Sequence, residues 1–552
     1  MKIKYFWAAV FAVAIASISF AGDEVAFSAF CGNLDLSADG YRVFGDIGKG
    51  RFSFRPERNG SVQWFELAVS AAIDGTEALP FALADGGETR SGTAKEYVLV
   101  YTNANASAEL VFRPDKAVLS FVFSPPFVLP VRSVILAAGS RTDSDYVFDP
   151  SVGRLPGHEF PIENPRRIYP GLASPPPWIF SYRKEGRDAC WSVAFEPQPN
   201  KIEFNGVRHV PCDGGRGIAW AVNYPECKAI ERQFSVPPLV FRFGDDDFFA
   251  ALERHVADLQ TEGKMRVPER RLPSWHSRTI ACTWRYQRRP NPQQKADEAN
   301  TEAYVKMLED NGIDFGTLII DDFWGKEHGI WEADSAKWRD LRGFIDRQHA
   351  KGRRILLWVC TDASGLPEEE RLGLNWKLES PAFKARLKRA AHRMLSNDEG
   401  CYNADGVKFD FTSTSPADYG DATDVGCGYI RKRFEMLTEA LLSVKPSAIL
   451  DYQCYNPYFT HTLTMLRLND YFGVPKHGFE EMSIRARIAK ICAPGALIDT
   501  DHVSFAEYSY RGGEEFFRRA HELGVPSLYL NEDDLKDAQL LELIKSGNQN
   551  EK

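Results

Sequence analysis

The sequence predicts an α/β protein in two parts: a β-sandwich over residues 22–265 and, after a linker at 266–276, a (β/α)8 barrel over 277–546, with a tail at 547–552. Three observations predict this. The chain has 552 residues, more than one hydrophobic core serves, so two or three domains are expected. Near residue 270 the rhythm changes, from short strands between Gly, Pro and Asn/Asp turns to apolar strands alternating with helical stripes. After that change eight strand-like runs follow in roughly 270 residues, the number one barrel needs.

The first residues are a targeting segment. Lys2 and Lys4 form a basic start, Phe6 to Phe20 is almost wholly apolar, and Ser19-Phe20-Ala21 has the small-x-small pattern of a cleavage site. The apolar run is shorter than the ~20 residues a membrane span needs, so export with cleavage near Ala21 is expected, with no membrane span in the mature chain. In the sandwich, Tyr97 to Tyr101, Ala108 to Phe112, Ala117 to Phe123, Trp191 to Phe195 and Gly217 to Val222 are short strands. Ser174 to Trp178, rich in proline, is a loop.

The barrel elements follow in order. Thr279 to Trp284 is the first strand and Thr301 to Glu309 a helix with Asn300 as its cap. Gly316 to Ile320 is the second strand, followed by a helix carrying Leu341, Phe344 and Ile345 on one face. Arg354 to Val359 is the third strand, Phe383 to Leu395 a helix, and Gly406 to Phe409 the fourth strand. Ile430, Phe434, Leu437 and Leu441 stripe a long helix ended by Pro446. Ala448 to Tyr452, Met465 to Leu468, Ala496 to Ile498 and Pro526 to Leu530 are strands five to eight, and Asp537 to Lys545 the closing helix. A doubly wound open sheet would carry a Gly-rich phosphate turn after its first strand; Trp284-Arg285-Tyr286 stands there instead.

Lys plus Arg number 67 and Asp plus Glu 76, a net charge of −9, which argues against nucleic acid or an anionic membrane as partner. The 12 Trp suit sugars, whose C–H faces stack on rings, though large proteins also bury Trp in their cores. The 10 Cys show no CxxC spacing and no Cys/His cluster, so no zinc site is expected; Cys212 and Cys227 are candidates to pair across a hairpin.

Barrel chemistry sits at the C-terminal ends of the strands. The residues there are Trp284, then Asp321-Asp322-Phe323-Trp324, Trp358, Lys408 and Asp410, Tyr452 and Cys454, Arg467 and Asp470, and Asp499 with Asp501-His502. Carboxylates and tryptophans dominate, a lining suited to many hydroxyls and one apolar sugar face. Any single Asp after a strand also serves as a helix cap, so the weight lies in the set. Cleaving a glycosidic bond needs two carboxyls, one ionised and one protonated. Lys408 and Asp410 are two apart on a strand and share a side, so an ammonium is expected beside Asp410, suiting a nucleophile; a plain rim salt bridge is the alternative. Asp470, two strands on, is the candidate acid/base.

At these residues a resemblance enters. Ile319 to Trp324 resembles the aspartate pair and Trp after the second strand of α-galactosidases in glycoside hydrolase families 36 and 27. Gly329 to Asp334, Lys337-Trp338, His349 to Gly352 and Leu357-Trp358-Val359 resemble the stretch that follows in those enzymes. Val407 to Phe411 is similar to the nucleophile strand of families 36 and 31, and Asp470 matches the acid/base in order. The resemblance spans most of Arg278 to Leu530 and implies a retaining, exo-acting α-glycosidase, α-galactoside favoured, needing no metal or organic cofactor. It implies Asp410 as nucleophile, Asp470 as acid/base, Asp321 and Asp322 as hydrogen-bond partners of sugar hydroxyls, and Lys408 as a sugar contact that tunes Asp410. It further implies Cys454 and Arg467 as pocket walls, and Trp324 and Trp358 as ring faces. Two departures stand out: Phe323 occupies the place where family 36 usually has Gly, and Arg467-Leu468-Asn469-Asp470 differs from that family's acid/base sequence. No C-terminal β-domain is expected after the last barrel helix.

Two other classes are weighed. A non-catalytic carbohydrate-binding relative would keep the Trp-lined mouth, but the presence of both Asp410 and Asp470 argues against it. A metal-dependent barrel hydrolase would use Asp499, Asp501 and His502 with Asp321-Asp322 as ligands.

Overall fold

The structure, a computed structural model, describes residues 26–549 except 31–32, 39, 57–63, 74–79, 92–93, 127, 153–156, 165, 169–175, 186–189, 214–215, 231, 270–271, 289–295, 413–424, 472 and 502–512. The expected targeting segment and His502 therefore lie outside the described residues. Among the described residues no helix is long and apolar enough to cross a membrane.

The N-terminal half is two antiparallel sheets of ten strands each. Their alternating apolar residues interleave between the layers. Phe54 of one sheet stacks on Phe243 of the other at 4.8 Å, and Phe65 on Trp191 at 4.2 Å. Trp220 and Tyr182 are fully buried across the same gap, and the indole N–H donates to the phenol at 2.9 Å, which removes the cost of enclosing either polar tip. Four of the 12 tryptophans, Trp178, Trp191, Trp220 and Trp376, are core and under 2% exposed; none of them is an expected sugar contact.

Three expectations are corrected. The sandwich half ends in a helix, Phe248–Thr261, capped by Asp247 and burying Leu252, Val256 and Leu259 at helical spacing. Cys212 is a free thiol: strand register sets it opposite Gly217, and Cys227 lies ten residues farther along that same strand, far beyond disulfide reach. The helix expected from Thr301 runs over Glu298–Asp310 and is capped by Asp297, whose carboxylate accepts from the Asn300 amide.

The C-terminal half is one parallel sheet of eight strands: Ile280–Cys282, Thr317–Ile320, Arg354–Cys360, Gly406–Asp410, Ile449–Tyr452, Met465–Arg467, Leu497–Asp499 and Ser527–Leu528. The first strand pairs with the second and the eighth. The ring closes between strands seven and eight, where the Val525 amide donates to Ile498 at 2.7 Å and the Thr500 amide to Val525 at 3.1 Å. The expected (β/α)8 barrel is therefore observed, with one irregularity. Between strands five and six there is no α-helix, only the 3-10 turn Thr460–Thr462. The sandwich packs there instead: Tyr458 donates to the Pro197 carbonyl at 2.8 Å, Asn456 to that of Pro176 at 3.1 Å, and Trp178 meets the Tyr458 ring at 4.9 Å.

Inside the barrel, Ile280, Cys282, Ile319, Leu356, Ile449 and Met465 form an apolar floor, separate from the main core. Gly406 lets strands four and five approach: a Cβ there would sit 2.1 Å from the Ile449 carbonyl oxygen.

Candidate active site

Above that floor the inward positions become polar. Strand alternation fixes which residues these are: a residue two beyond a floor residue points the same way one layer higher. Asp321 stands two beyond Ile319, Lys408 two beyond Gly406, Asp451 two beyond Ile449, Arg467 two beyond Met465 and Asp499 two beyond Leu497. Lys408 lies between Trp358 and Asp451 in register, and Arg467 beside Asp499.

The Lys408 ammonium donates to Asp321 at 2.6 Å and to the Tyr529 hydroxyl at 3.1 Å. Its hydrogen bonds thus go to Asp321 and Tyr529, while its charge still lowers the pKa of Asp410, as expected. The ammonium turns to a carboxylate on strand two, and its 3% exposed side chain is satisfied there. Cys282 also donates to Asp321, at 3.0 Å, so Asp321 is spent inside the barrel wall.

Asp410 is held by three other groups. The Trp358 indole N–H donates to Oδ2 at 3.1 Å, the Phe411 amide to Oδ1 at 3.0 Å, and an Arg467 guanidinium nitrogen lies 3.3 Å from Oδ1. Burial alone would raise its pKa, but Arg467, then Lys408, then the two hydrogen bonds outweigh it and bring it down to about 2. Asp410 is therefore ionised at neutral pH. Arg467 also lies 3.1 Å from Asp501 and so spans two carboxylates.

Asp470 has the opposite character. Burial, then the charge of Asp501, push its pKa up from 3.8 to about 7, with Arg467 opposing and Asp410 adding to the rise. Asp499 is lifted to about 6 by burial and by Asp501, and Asp451 is raised by burial and by Asp499. The two cations Lys408 and Arg467 cannot balance every carboxylate around them, so protons must reside on some of these acids.

Backbone strain gathers at this mouth. Phe323, Phe411, Asn469 and Asp501, just beyond strands two, four, six and seven, have φ of 72°, 49°, 67° and 55°. Left-handed conformations in non-glycine residues cost about 1–3 kcal/mol each and persist where the surroundings enforce them. Phe323 thus keeps the backbone shape that favours Gly, while its ring stacks parallel to Trp284 at 6.5 Å.

A cavity of about 270 Å³ is lined by Asp322, Phe323, Trp324, His328 and Trp358 among others; neither Asp410 nor Asp470 lines it, and Trp358, which donates to Asp410, stands between. His328 bridges two carboxylates, Asp322 at 2.9 Å and Asp362 at 3.2 Å. Burial lowers its pKa, but hydrogen bonds to both partners outweigh that and lift it to about 9. Burial raises the pKa of Asp322, with His328 opposing.

The remaining expected residues fall in different places. Trp324 is 2% exposed and donates to the Trp358 carbonyl at 2.8 Å, so its edge faces the cavity while its N–H is used in the wall. Trp284 opens a helical turn rather than ending the first strand. Cys454 is fully buried in the main apolar core. Among the described residues no three His, Cys, Asp or Glu side chains are gathered as metal ligands. His328 and Asp362 escaped the sequence reading because they sit in loops without a periodic signal. Tyr529 was legible as the polar residue closing the eighth strand.

No protein-family model matches the sequence, and no curated protein matches it either. Solved structures do. A family 31 sulfoquinovosidase from E. rectale superposes with TM-score 0.56 at 12% identity, covering 95% of this chain and 83% of that one. The fold is that of glycoside hydrolase families 31 and 36. A family 31 α-xylosidase from a soil metagenome gives TM-score 0.53 at 11% identity, over 95% of this chain and 83% of that one. A family 36 α-galactosidase from Geobacillus stearothermophilus gives 0.52 at 10%, over 95% and 85%.

Proposed function

We propose that the protein is a retaining, exo-acting α-glycosidase that works through a glycosyl-aspartate. One observation carries this: two carboxyls at one barrel mouth, both under the charge of Arg467, with pKa values driven apart to about 2 at Asp410 and about 7 at Asp470. Asp410 attacks the anomeric carbon as the bond to the leaving oxygen breaks, and Asp470 gives that oxygen its proton. Asp470 then takes a proton from water, whose oxygen displaces Asp410 and releases the sugar with its configuration kept. Trp358 orients Asp410 through its N–H and offers a wall to the cavity.

Terminal α-galactose is the favoured sugar. Asp322 lines the cavity, where it would accept from sugar hydroxyls, and Asp321 would act one step behind it through Lys408. The basic and apolar start of the chain leads us further to propose export, testable by the N-terminal sequence of protein recovered outside the cytoplasm.

A panel of aryl α-glycosides, with the anomer of the first product read by NMR, tests sugar identity and retention together. Asp410→Gly should stop turnover, and azide should then give a glycosyl azide. Full activity in Asp410→Ala would sink the assignment, and no release from any aryl α-glycoside would favour a carbohydrate-binding protein.

A further inference from the structure

The helix Gly478–Cys492 carries two buried charges, Glu481 and Arg485. Glu481 is 5% exposed and Arg485 0%. Enclosing such groups costs several kcal/mol apiece unless their partners are well placed. The partners of Arg485 point one way. One guanidinium nitrogen donates to the carbonyls of Leu468 at 3.3 Å, Asn469 at 2.9 Å and Asp470 at 3.1 Å. These are consecutive residues of the loop that presents the Asp470 carboxyl. Nε of Arg485 donates to Glu481 at 2.8 Å. Glu481 is gripped from the other domain, where the His158 ring nitrogen lies 3.2 Å away and the Gly157 amide donates at 3.1 Å.

We propose that Arg485, held by Glu481 and through it by His158 of the sandwich, is the positioning residue for the acid/base Asp470. The proposal rests on the glycosidase reading above. Its physical basis is the strained residue in the middle of the loop. Asn469 has φ 67°, a conformation an L-residue leaves when unsupported. Three converging carbonyls on one cation, with Gln453 donating to the Asn469 side chain at 2.8 Å, hold it there. If Asn469 relaxed, the direction of the next side chain, Asp470, would change. The sandwich thereby contributes to proton transfer without reaching the sugar.

The test compares two substrates of one sugar, an α-glycosyl fluoride, whose leaving group needs no proton, and an alkyl α-glycoside, whose leaving group does. Glu481→Gln keeps the shape of the link and weakens its charge; His158→Ala removes the side-chain contact from the sandwich and leaves the Gly157 amide. A displaced acid should cost about 10²-fold in kcat/KM on the alkyl glycoside. On the fluoride kcat/KM, which reports glycosylation alone, should change by less than about threefold, while kcat falls because hydrolysis of the glycosyl-enzyme still needs the base. Azide should then speed turnover of the fluoride and yield the α-azide, the product of a trapped glycosyl-enzyme lacking its base. Equal losses on both substrates, or none on either, would overturn the positioning role. If His158→Ala does not fold, Glu481→Gln carries the test alone. Asp470→Ala is the control. If it discriminates the substrates and Glu481→Gln does not, only the positioning role fails. A wild-type protein inactive on both would overturn the glycosidase reading itself, and the positioning role with it.

Discussion

Asp501→Asn is the substitution whose consequence follows most directly from the charges at the barrel mouth. Asp501 is fully buried, accepts from the Tyr529 hydroxyl at 3.2 Å and lies 3.1 Å from Arg467. After burial it is the largest influence raising the pKa of Asp470. The asparagine keeps an acceptor oxygen and the volume but loses the charge. At an effective dielectric of about 20, an anion within roughly 12 Å alters proton affinity by 1.4 kcal/mol or more, a factor of about ten. The substitution also releases Arg467 from one of its two carboxylates, so its positive charge bears more strongly on Asp470. Both effects favour ionised Asp470. The general acid is active only while protonated, so its pKa sets the alkaline limb of kcat/KM, near pH 7 in the wild type. In Asp501→Asn that limb should fall by about one pH unit or more. The assay is a pH profile of kcat/KM on the aryl α-glycoside that the panel identifies. An alkaline limb that stays or moves up would refute the reasoning, as would an unchanged limb in Asp470→Asn.

Three further predictions concern the rest of the site. His328 has its pKa raised from 6.5 to about 9, so the stability it adds is full below pH 6.5 and lost as pH rises through about 9; the Tm gap between wild type and His328→Gln, followed from pH 6 to 10, should narrow accordingly. Phe323→Gly relieves a φ of 72° but removes the ring that stacks on Trp284, so Tm should hold within a few degrees while KM rises; a rise in KM no larger than the assay error would show that the ring does not face substrate. Gly406→Ala would force a methyl to 2.1 Å from the Ile449 carbonyl oxygen, and chemical denaturation should show a loss of about 2 kcal/mol or more.

What the sequence determined by itself is the set of inward positions at the barrel mouth. Strand runs such as Gly406-Val407-Lys408-Phe409 have a period of two, so the face on which Lys408 and Asp410 lie is settled locally, as is the polar rank two residues above Ile319, Ile449 and Met465. The helix after the sandwich is legible too, through Asp247 and the spacing of Leu252, Val256 and Leu259. Only the tertiary structure decided partnership. Lys408 had several carboxylates on its side and reached across two strands to Asp321 rather than to Asp410, because charge pairing inside a closed barrel depends on radial direction and not on distance along the chain. For the same reason Arg467 links Asp410 to Asp501, and His328 links Asp322 to Asp362, over separations that no local pattern encodes. The split between a lowered pKa at Asp410 and a raised one at Asp470 is likewise a tertiary property, since it is set by burial and by charges brought from other strands.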